Sequence, residues 1–204
     1  MTIKELDDKL NSPGFQDTEN GDLFYNFFIY QYPAEKEYEI RQQIQDFKED
    51  LKRPTNYVDV LTMNLFDEFC NYLDGQKFLK NPSKLKYLLE KEQSDPTGAE
   101  QNILDTLTRN AHDEKFVAYL HERIMQHIQI KDDMRRPYVF FYGVGSMFPY
   151  LRVNELLALY ETYNQTSKYK ILVFYPGHFE QTSFRLFDTL TDNHTYRATL
   201  LVNE

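Results

Sequence analysis

Apolar residues in the first two thirds of the chain recur every three or four positions, which is the period of a helix buried on one side. The stripe from Val117 to Ile128 is the clearest example. Thr2 can cap the first helix, and Pro54 ends the second, because proline cannot continue a helix. The pattern predicts helices over residues 2–10, 34–52, 65–73 and 82–92, then a longer stretch to about residue 130 that is broken near Asn110.

Strands are predicted from β-prone runs, which in the last third are continuously apolar, as expected for strands buried on both faces. Pro149 fits the first turn of a helix that runs to Tyr163, and Pro176 with Gly177 ends the strand before them. A loop with Phe184, Leu186 and Phe187 is expected to follow. The predicted strands are residues 23–31, 57–62, 138–142, 171–175 and 199–202.

The order of these elements predicts the fold class. Residues 138–175 form a strand–helix–strand unit, which is typical of a parallel sheet. We therefore expect a three-layer, Rossmann-like α/β sandwich with a mainly parallel central sheet and an added helical segment over about residues 82–130. No linker rich in Ser, Gly or Pro divides the chain, so residues 1–204 are expected to form a single domain.

Composition narrows the class of function. The 204 residues carry a net charge of −9, which argues against a protein whose main task is to grip phosphates of nucleic acid. No apolar run is long enough for a membrane span, and the N-terminus lacks the apolar core of a secretory signal. The lone Cys70 excludes an internal disulfide and a zinc site of several cysteines. A cytoplasmic protein is expected.

Gly143, Gly145 and Ser146 follow a buried strand and precede a helix. Parallel α/β proteins often bind phosphates at this place, because glycines let backbone N–H groups approach an anion. Phe148 stands where the dinucleotide fingerprint has its third glycine, and no P-loop sequence occurs anywhere in the chain. Two interpretations stay open, a bound anion or nucleotide and a tight structural turn, and we favour the turn.

Arg152 is expected near the start of the next helix, where a cation opposes the helix dipole. It therefore needs a partner, and we favour an ion pair with Asp188 or Asp192 over a ligand phosphate. Arg197 presents the same choice.

Tyr175, Gly177 and His178 are expected at the carboxyl edge of the sheet, where open α/β sheets bind ligands. His194 and Asp192 could face the same crevice. Their spacing matches no helical metal-binding pattern, so no metal and no cofactor is expected.

No catalytic constellation is visible in the sequence. Ser146 and Ser183 lack the G-x-S-x-G elbow of hydrolases, and Cys70 is expected to be a small buried residue. The second helix carries many acidic residues. They form either a solvated face or a docking face for a basic partner.

An ordered set of motifs in the last third resembles the BrxB family of the bacterial BREX (bacteriophage exclusion) defence system. At one place the chain departs from the expected pattern, since His194 and Thr195 stand where a second aromatic or apolar residue is expected. The motifs are Phe141–Gly145, Pro149, Arg152, Leu156–Leu157, Val173–Gly177, Leu186–Phe187 and Tyr196–Ala198.

The resemblance implies a role in phage defence and no established catalytic activity. BREX systems methylate host DNA and block replication of unmethylated phage DNA, using a methyltransferase, a large ATPase and the phosphatase-like protein PglZ among others. We expect a non-enzymatic adaptor that binds other BREX proteins, with PglZ first and the ATPase or methyltransferase as further candidates. A nucleotide- or anion-binding regulator is the alternative. Direct DNA binding ranks last, and contact with DNA is expected to be indirect.

Overall fold

The computed structural model describes residues 2–12, 15, 27–51, 60–129, 138–163, 169–180, 183–192 and 199–200. Short 3-10 turns lie at Ala34–Lys36, Val144–Met147 and Glu161–Tyr163. The helices are α1 (Ile3–Asn11), α2 (Glu37–Leu51), α3 (Leu65–Asp74), α4 (Lys84–Ser94), α5 (Pro96–Ala111), α6 (Glu114–Gln129) and α7 (Val153–Tyr160). The strands are β1 (Phe27–Tyr32), β2 (Val60–Asn64), β3 (Tyr138–Tyr142), β4 (Lys170–Glu180), β5 (Ser183–Leu186), β6 (Leu190–Asp192) and β7 (Thr199–Leu200).

Helix limits follow the expected capping chemistry. The Thr2 hydroxyl accepts the Glu5 N–H at 3.2 Å, and the Glu5 carboxylate accepts the Thr2 N–H at 2.6 Å, so the predicted cap of α1 is confirmed. Asn64 caps α3 in a similar way. The predicted break near Asn110 is also confirmed, because α5 ends at Ala111 and α6 begins at Glu114.

The sheet is mostly parallel. Its strand order is β2-β3-β4-β1-β7, with every neighbouring pair in that path parallel, and β5 and β6 add an antiparallel extension beside β4. The parallel pairing predicted for residues 138–175 is confirmed by the register between β3 and β4, in which Phe140 faces Leu172.

Helices cover both faces of this sheet. Successive residues of β1 point to opposite sides, with Phe27 and Ile29 in one apolar cluster and Phe28 and Tyr30 in the other. Helices α1 and α2 supply buried residues to the second cluster, whereas α3, α6 and α7 supply them to the first. The long apolar runs are therefore explained by strands that are buried on both sides.

The helical segment predicted over about residues 82–130 consists, among its described residues, of the three helices α4, α5 and α6. Helix α6 packs on the sheet through Phe116, Leu120 and Ile124, which are fully buried. Helices α4 and α5 bury only a few residues, among them Leu88 and Ala99, and extend this side of the molecule outward. In the part of the chain that the structure describes, no helix combines the length and apolar character needed to cross a bilayer.

Strand β4 is longer than predicted. Pro176 and Gly177 do not end it, because Gly177 continues the strand with φ 149° and pairs with Leu186 of β5. The region expected to be a loop is the hairpin of β5 and β6, so that prediction is wrong. Strand β4 changes its neighbour at Gly177, and local sequence carries no sign of that exchange.

The helix expected near Pro149 also starts later. Residues after Met147 form turns, and α7 begins at Val153 with Arg152 as its N-cap residue. Residues 23–26 and 57–59 of the predicted strands lie outside the described residues.

A polar cluster lies within the core between α6 and α7. Nδ1 of His121 is 3.1 Å from the hydroxyl of Tyr160, which is 2.8 Å from the hydroxyl of Tyr169. Both tyrosines are fully buried. Burial lowers the pKa of His121 and raises that of Tyr160, so each group favours its neutral form.

This burial predicts a pH-dependent stability. In the unfolded chain a histidine titrates near its usual value of about 6.5, so between that value and the lower folded pKa the unfolded state binds more protons. Stability should therefore fall as pH drops from 7.5 through 6.5 and below. In His121→Gln the part of this fall due to His121 should vanish. Urea unfolding of the wild-type protein and of His121→Gln at pH 7.5 and 5.5 measures the change in the free energy of unfolding. An equal change in the two proteins would contradict the assignment.

Candidate functional site at the carboxyl edge of the sheet

The carboxyl ends of β1 and β4 enclose a crevice of about 330 Å³. The connection that leaves β1 runs through α2 on one face of the sheet, whereas the helices between β2, β3 and β4 pack on the other face. Open α/β sheets bind ligands in crevices outside the carboxyl ends of their strands. The lining residues are Gln31, Tyr32, Pro33, Gly177, His178 and Asp188.

His178 is held from both sides by carboxylates. Its Nδ1 lies 2.5 Å from Oδ1 of Asp188, and its Nε2 lies 3.9 Å from Oε2 of Glu180. Each of these side chains is partly exposed, so the group lies at the mouth of the crevice. Asp188 comes from the turn between β5 and β6, which the sequence analysis took for a loop.

A second polar chain links the ends of β1 and β3. The Tyr32 hydroxyl donates to Oε2 of Glu37, and Nε of Arg41 donates to Oε1 of the same carboxylate at 2.7 Å. Nη2 of Arg41 then donates to the Ser146 hydroxyl at 3.1 Å. Burial raises the pKa of Tyr32, which keeps its hydroxyl protonated and able to donate.

Tyr32, Glu37 and Arg41 were not among the site residues predicted from the sequence. A usable signal existed, because Glu37 and Arg41 are spaced i, i+4 on the helix that follows β1. Their link to Ser146 spans more than a hundred residues of chain and has no local sign.

The glycine turn after β3 is filled by the chain itself. Gly143 has φ +69°, and a Cβ at this position would lie 2.5 Å from Oδ1 of Asn64. A Cβ on Gly145 would lie 2.3 Å from the ring of Phe187. The Ser146 N–H donates to the Gly143 carbonyl at 3.1 Å. Contacts within the protein therefore account for both glycines, as the favoured interpretation expects.

At Gly177 an added Cβ would overlap the backbone of the neighbouring strand rather than a side chain. A Cβ there would lie 1.9 Å from the carbonyl oxygen of Arg185, and its φ of +149° disfavours other residues. This glycine permits β5 to pair closely with the end of β4. Tyr175, two residues earlier, is fully buried with its ring 5.3 Å from that of Phe184, so it belongs to the core and does not line the crevice.

Arg152 faces the hairpin. Its Nη1 donates to the Thr191 carbonyl at 3.0 Å, and its guanidinium lies over the ring of Phe148 at 5.6 Å. Of the two partners predicted for Arg152, Asp188 binds His178, and an ion pair with Asp192 stays a prediction. The side chain of Asp192 and all of His194 and Arg197 lie outside the described residues.

Nucleophile and metal chemistry find little support here. Burial raises the pKa of the Cys70 thiol, which opposes formation of a reactive thiolate. Within the residues that the structure describes, no group of three or more His, Cys, Asp or Glu side chains could hold a metal ion.

The fold and the carboxyl edge together define the class of protein. It is an α/β protein with a mostly parallel sheet, and side chains of the same chain occupy much of the carboxyl edge of that sheet. A family model described as BREX protein BrxB matches residues 61–201. A curated protein named BREX protein BrxB, from Bacillus cereus (strain H3081.97), is 22% identical over 203 residues, covering 99% of this chain and 96% of its own length. No solved structure gives a significant match.

The chain therefore belongs to the BrxB family, and the resemblance found in its sequence is confirmed. Membership of that family implies a component of BREX phage defence.

The packing of the glycine turn can be tested by a double-mutant cycle. Gly145→Ala should destabilise the protein by about 1–3 kcal/mol, because its Cβ overlaps the Phe187 ring. In a Phe187→Ala background the same change should cost less than about 0.5 kcal/mol. Urea unfolding of the four proteins measures the coupling.

Gly177→Ala is the matched control. The new Cβ would overlap a backbone oxygen of residue 185, so the loss of stability should persist in an Arg185→Ala background. An equal cost of Gly145→Ala with and without the Phe187 ring would contradict the proposed packing.

Proposed function

We propose that the chain is a non-catalytic adaptor of a BREX anti-phage complex, and that it binds other BREX proteins. The PglZ-like phosphatase-fold component is the first candidate, with the ATPase and the methyltransferase next. Family membership is the observation that carries this proposal. Contact with phage or host DNA would then be made by partners, in keeping with a net charge of −9.

The carboxyl edge supports a binding rather than a catalytic role. The turn that would cradle a phosphate is occupied by Phe187 and Asn64. Ser146, in this turn, accepts a hydrogen bond from Arg41 and has no histidine among its hydrogen-bond partners in the described part of the chain. His178 is held by Asp188 and, within the same residues, has no nucleophile among its hydrogen-bond partners. An edge organised in this way presents a preformed surface to a partner.

The proposal includes the finer description of the fold. Residues 1–204 would form one domain in the cytoplasm, built as a Rossmann-like three-layer sandwich. Helices on both faces of the sheet and apolar clusters that share β1, β3 and β4 support this description.

Co-purification tests the adaptor function. The tagged chain, co-expressed with the PglZ-like protein of the same BREX system, should retain it at micromolar concentrations, because an adaptor must hold its partner without other components. The tag alone is the control, and the ATPase and methyltransferase are tested in parallel. Absence of association with all three would contradict the proposal.

A nucleotide- or anion-binding regulator is the second candidate. The crevice between β1 and β4 favours this candidate, since it lies at the carboxyl edge of the parallel sheet. Arg41 is close by, bonded to the carboxylate that accepts from Tyr32. A ligand at one hundred times its dissociation constant should stabilise the protein by about 2.7 kcal/mol, which a thermal-shift panel of nucleotides would detect. Arg41→Gln should remove such a shift. No shift with any nucleotide or with phosphate would exclude this candidate.

A further inference from the structure

The turn between α3 and α4 presents a leucine to solvent on a rigid support. Leu79 is 80% exposed and has φ +56°, a backbone conformation that bulky residues seldom adopt. The turn is closed by two backbone hydrogen bonds, from Phe78 N to the Asn81 carbonyl at 3.0 Å and from Asn81 N to the Phe78 carbonyl at 2.9 Å. We call the residues from Phe78 to Asn81 the Leu79 turn.

Several contacts hold the Leu79 turn on the helices beneath it. The Phe78 ring packs against that of Tyr87 with centroids 4.8 Å apart. The Lys84 ammonium donates to Oε1 of Gln76 at 2.6 Å and to Oδ1 of Asn110 at 2.7 Å. The exposed leucine is therefore presented in one preformed position, which reduces the entropy lost when a partner binds.

An apolar groove of about 640 Å³ lies beside this leucine. A groove of this kind takes up a large apolar side chain of a partner. Its lining residues are Phe78, Leu79, Lys80, Asn81, Pro82 and Tyr87.

The segment that lines the groove carries charge of the opposite sign to that of the whole chain. Residues 75–89 contain four lysines and no Asp or Glu, in a protein of net charge −9. Three of these lysines, Lys77, Lys80 and Lys86, are exposed, whereas Lys84 is turned inward as described above. Two carboxylates at the ends of this segment bond to it, since Glu90 accepts from Asn81 at 3.2 Å and Asp74 accepts from Ser83 at 2.6 Å.

We propose that the Leu79 turn and its groove bind an acidic segment of a partner protein that inserts a large apolar side chain. The lysines attract acidic residues of the segment. The apolar lining of the groove accepts the large apolar side chain that stands among them. A nucleic acid fits less well, because a phosphate backbone leaves the groove empty and the rest of the chain repels it. The inference rests on the proposed adaptor function and names a second surface, apart from the carboxyl edge, through which it acts.

Affinity measurements with the captured BREX partner test this surface. Leu79→Asn removes the apolar side chain with a residue that tolerates left-handed backbone, and Lys80→Glu reverses one charge. Each should weaken binding at least tenfold without lowering the melting temperature. Tyr38→Asn is the matched control, since it removes a 76% exposed side chain from α2 and should change the Kd less than twofold.

The outcomes separate the two proposals. A wild-type chain that binds its partner while both turn variants bind equally well would overturn the surface and leave the adaptor function standing. A wild-type chain that binds no BREX component would overturn both. Binding of a 30-base-pair DNA duplex that Lys80→Glu abolishes and Leu79→Asn leaves unchanged would assign the surface to phosphate instead.

Carbodiimide coupling identifies the chemistry of the partner, because it joins lysine amines to carboxylates in contact. Cross-links from Lys77, Lys80 or Lys86 should map by mass spectrometry to Asp or Glu beside a large apolar residue of the partner. Cross-links confined to other lysines of the chain, or to a segment without an apolar residue, would overturn the assignment.

Discussion

The pairing of β4 with three other strands is the interaction on which the rest of the structure depends. The first part of β4 lies between β1 and β3 in the parallel sheet, and the last residues of β4 pair with β5 in the antiparallel direction. Alternate side chains of β4 enter both apolar clusters, with Val173 in one and Phe174 in the other. One strand thus holds together the two faces of the sheet and the hairpin, and Gly177 is the residue at which its neighbours change.

The hairpin that β4 supports determines what the carboxyl edge can do. It brings Phe187 onto the glycine turn and Asp188 onto His178, so the chain occupies much of the edge where related architectures bind phosphates. What remains is a crevice of about 330 Å³ with a fixed His–Asp pair at its mouth.

Most element types were predictable because their causes are local, whereas the hairpin of β5 and β6, the site contacts and some boundaries were not. The run Tyr138–Tyr142 must be buried on both faces whatever its neighbours, and Thr2 caps α1 with atoms three residues away. The start of α7 and the continuation of β4 depend instead on the hairpin, which packs against the region only after folding. The same holds for the Arg41–Ser146 bond, whose partners no sequence period connects.

The distribution of charge has a consequence for how a partner approaches. Screening limits surface electrostatics to about 10 Å at moderate salt, so an incoming protein senses the nearest patch rather than the net charge. Most of the surface of this chain repels acidic segments, and residues 75–89 attract them. The repulsion elsewhere makes the lysine-bearing turn the favoured place for an acidic partner to dock, and Leu79 lies at its tip. Specificity would then come as much from the acidic remainder of the surface as from the turn itself.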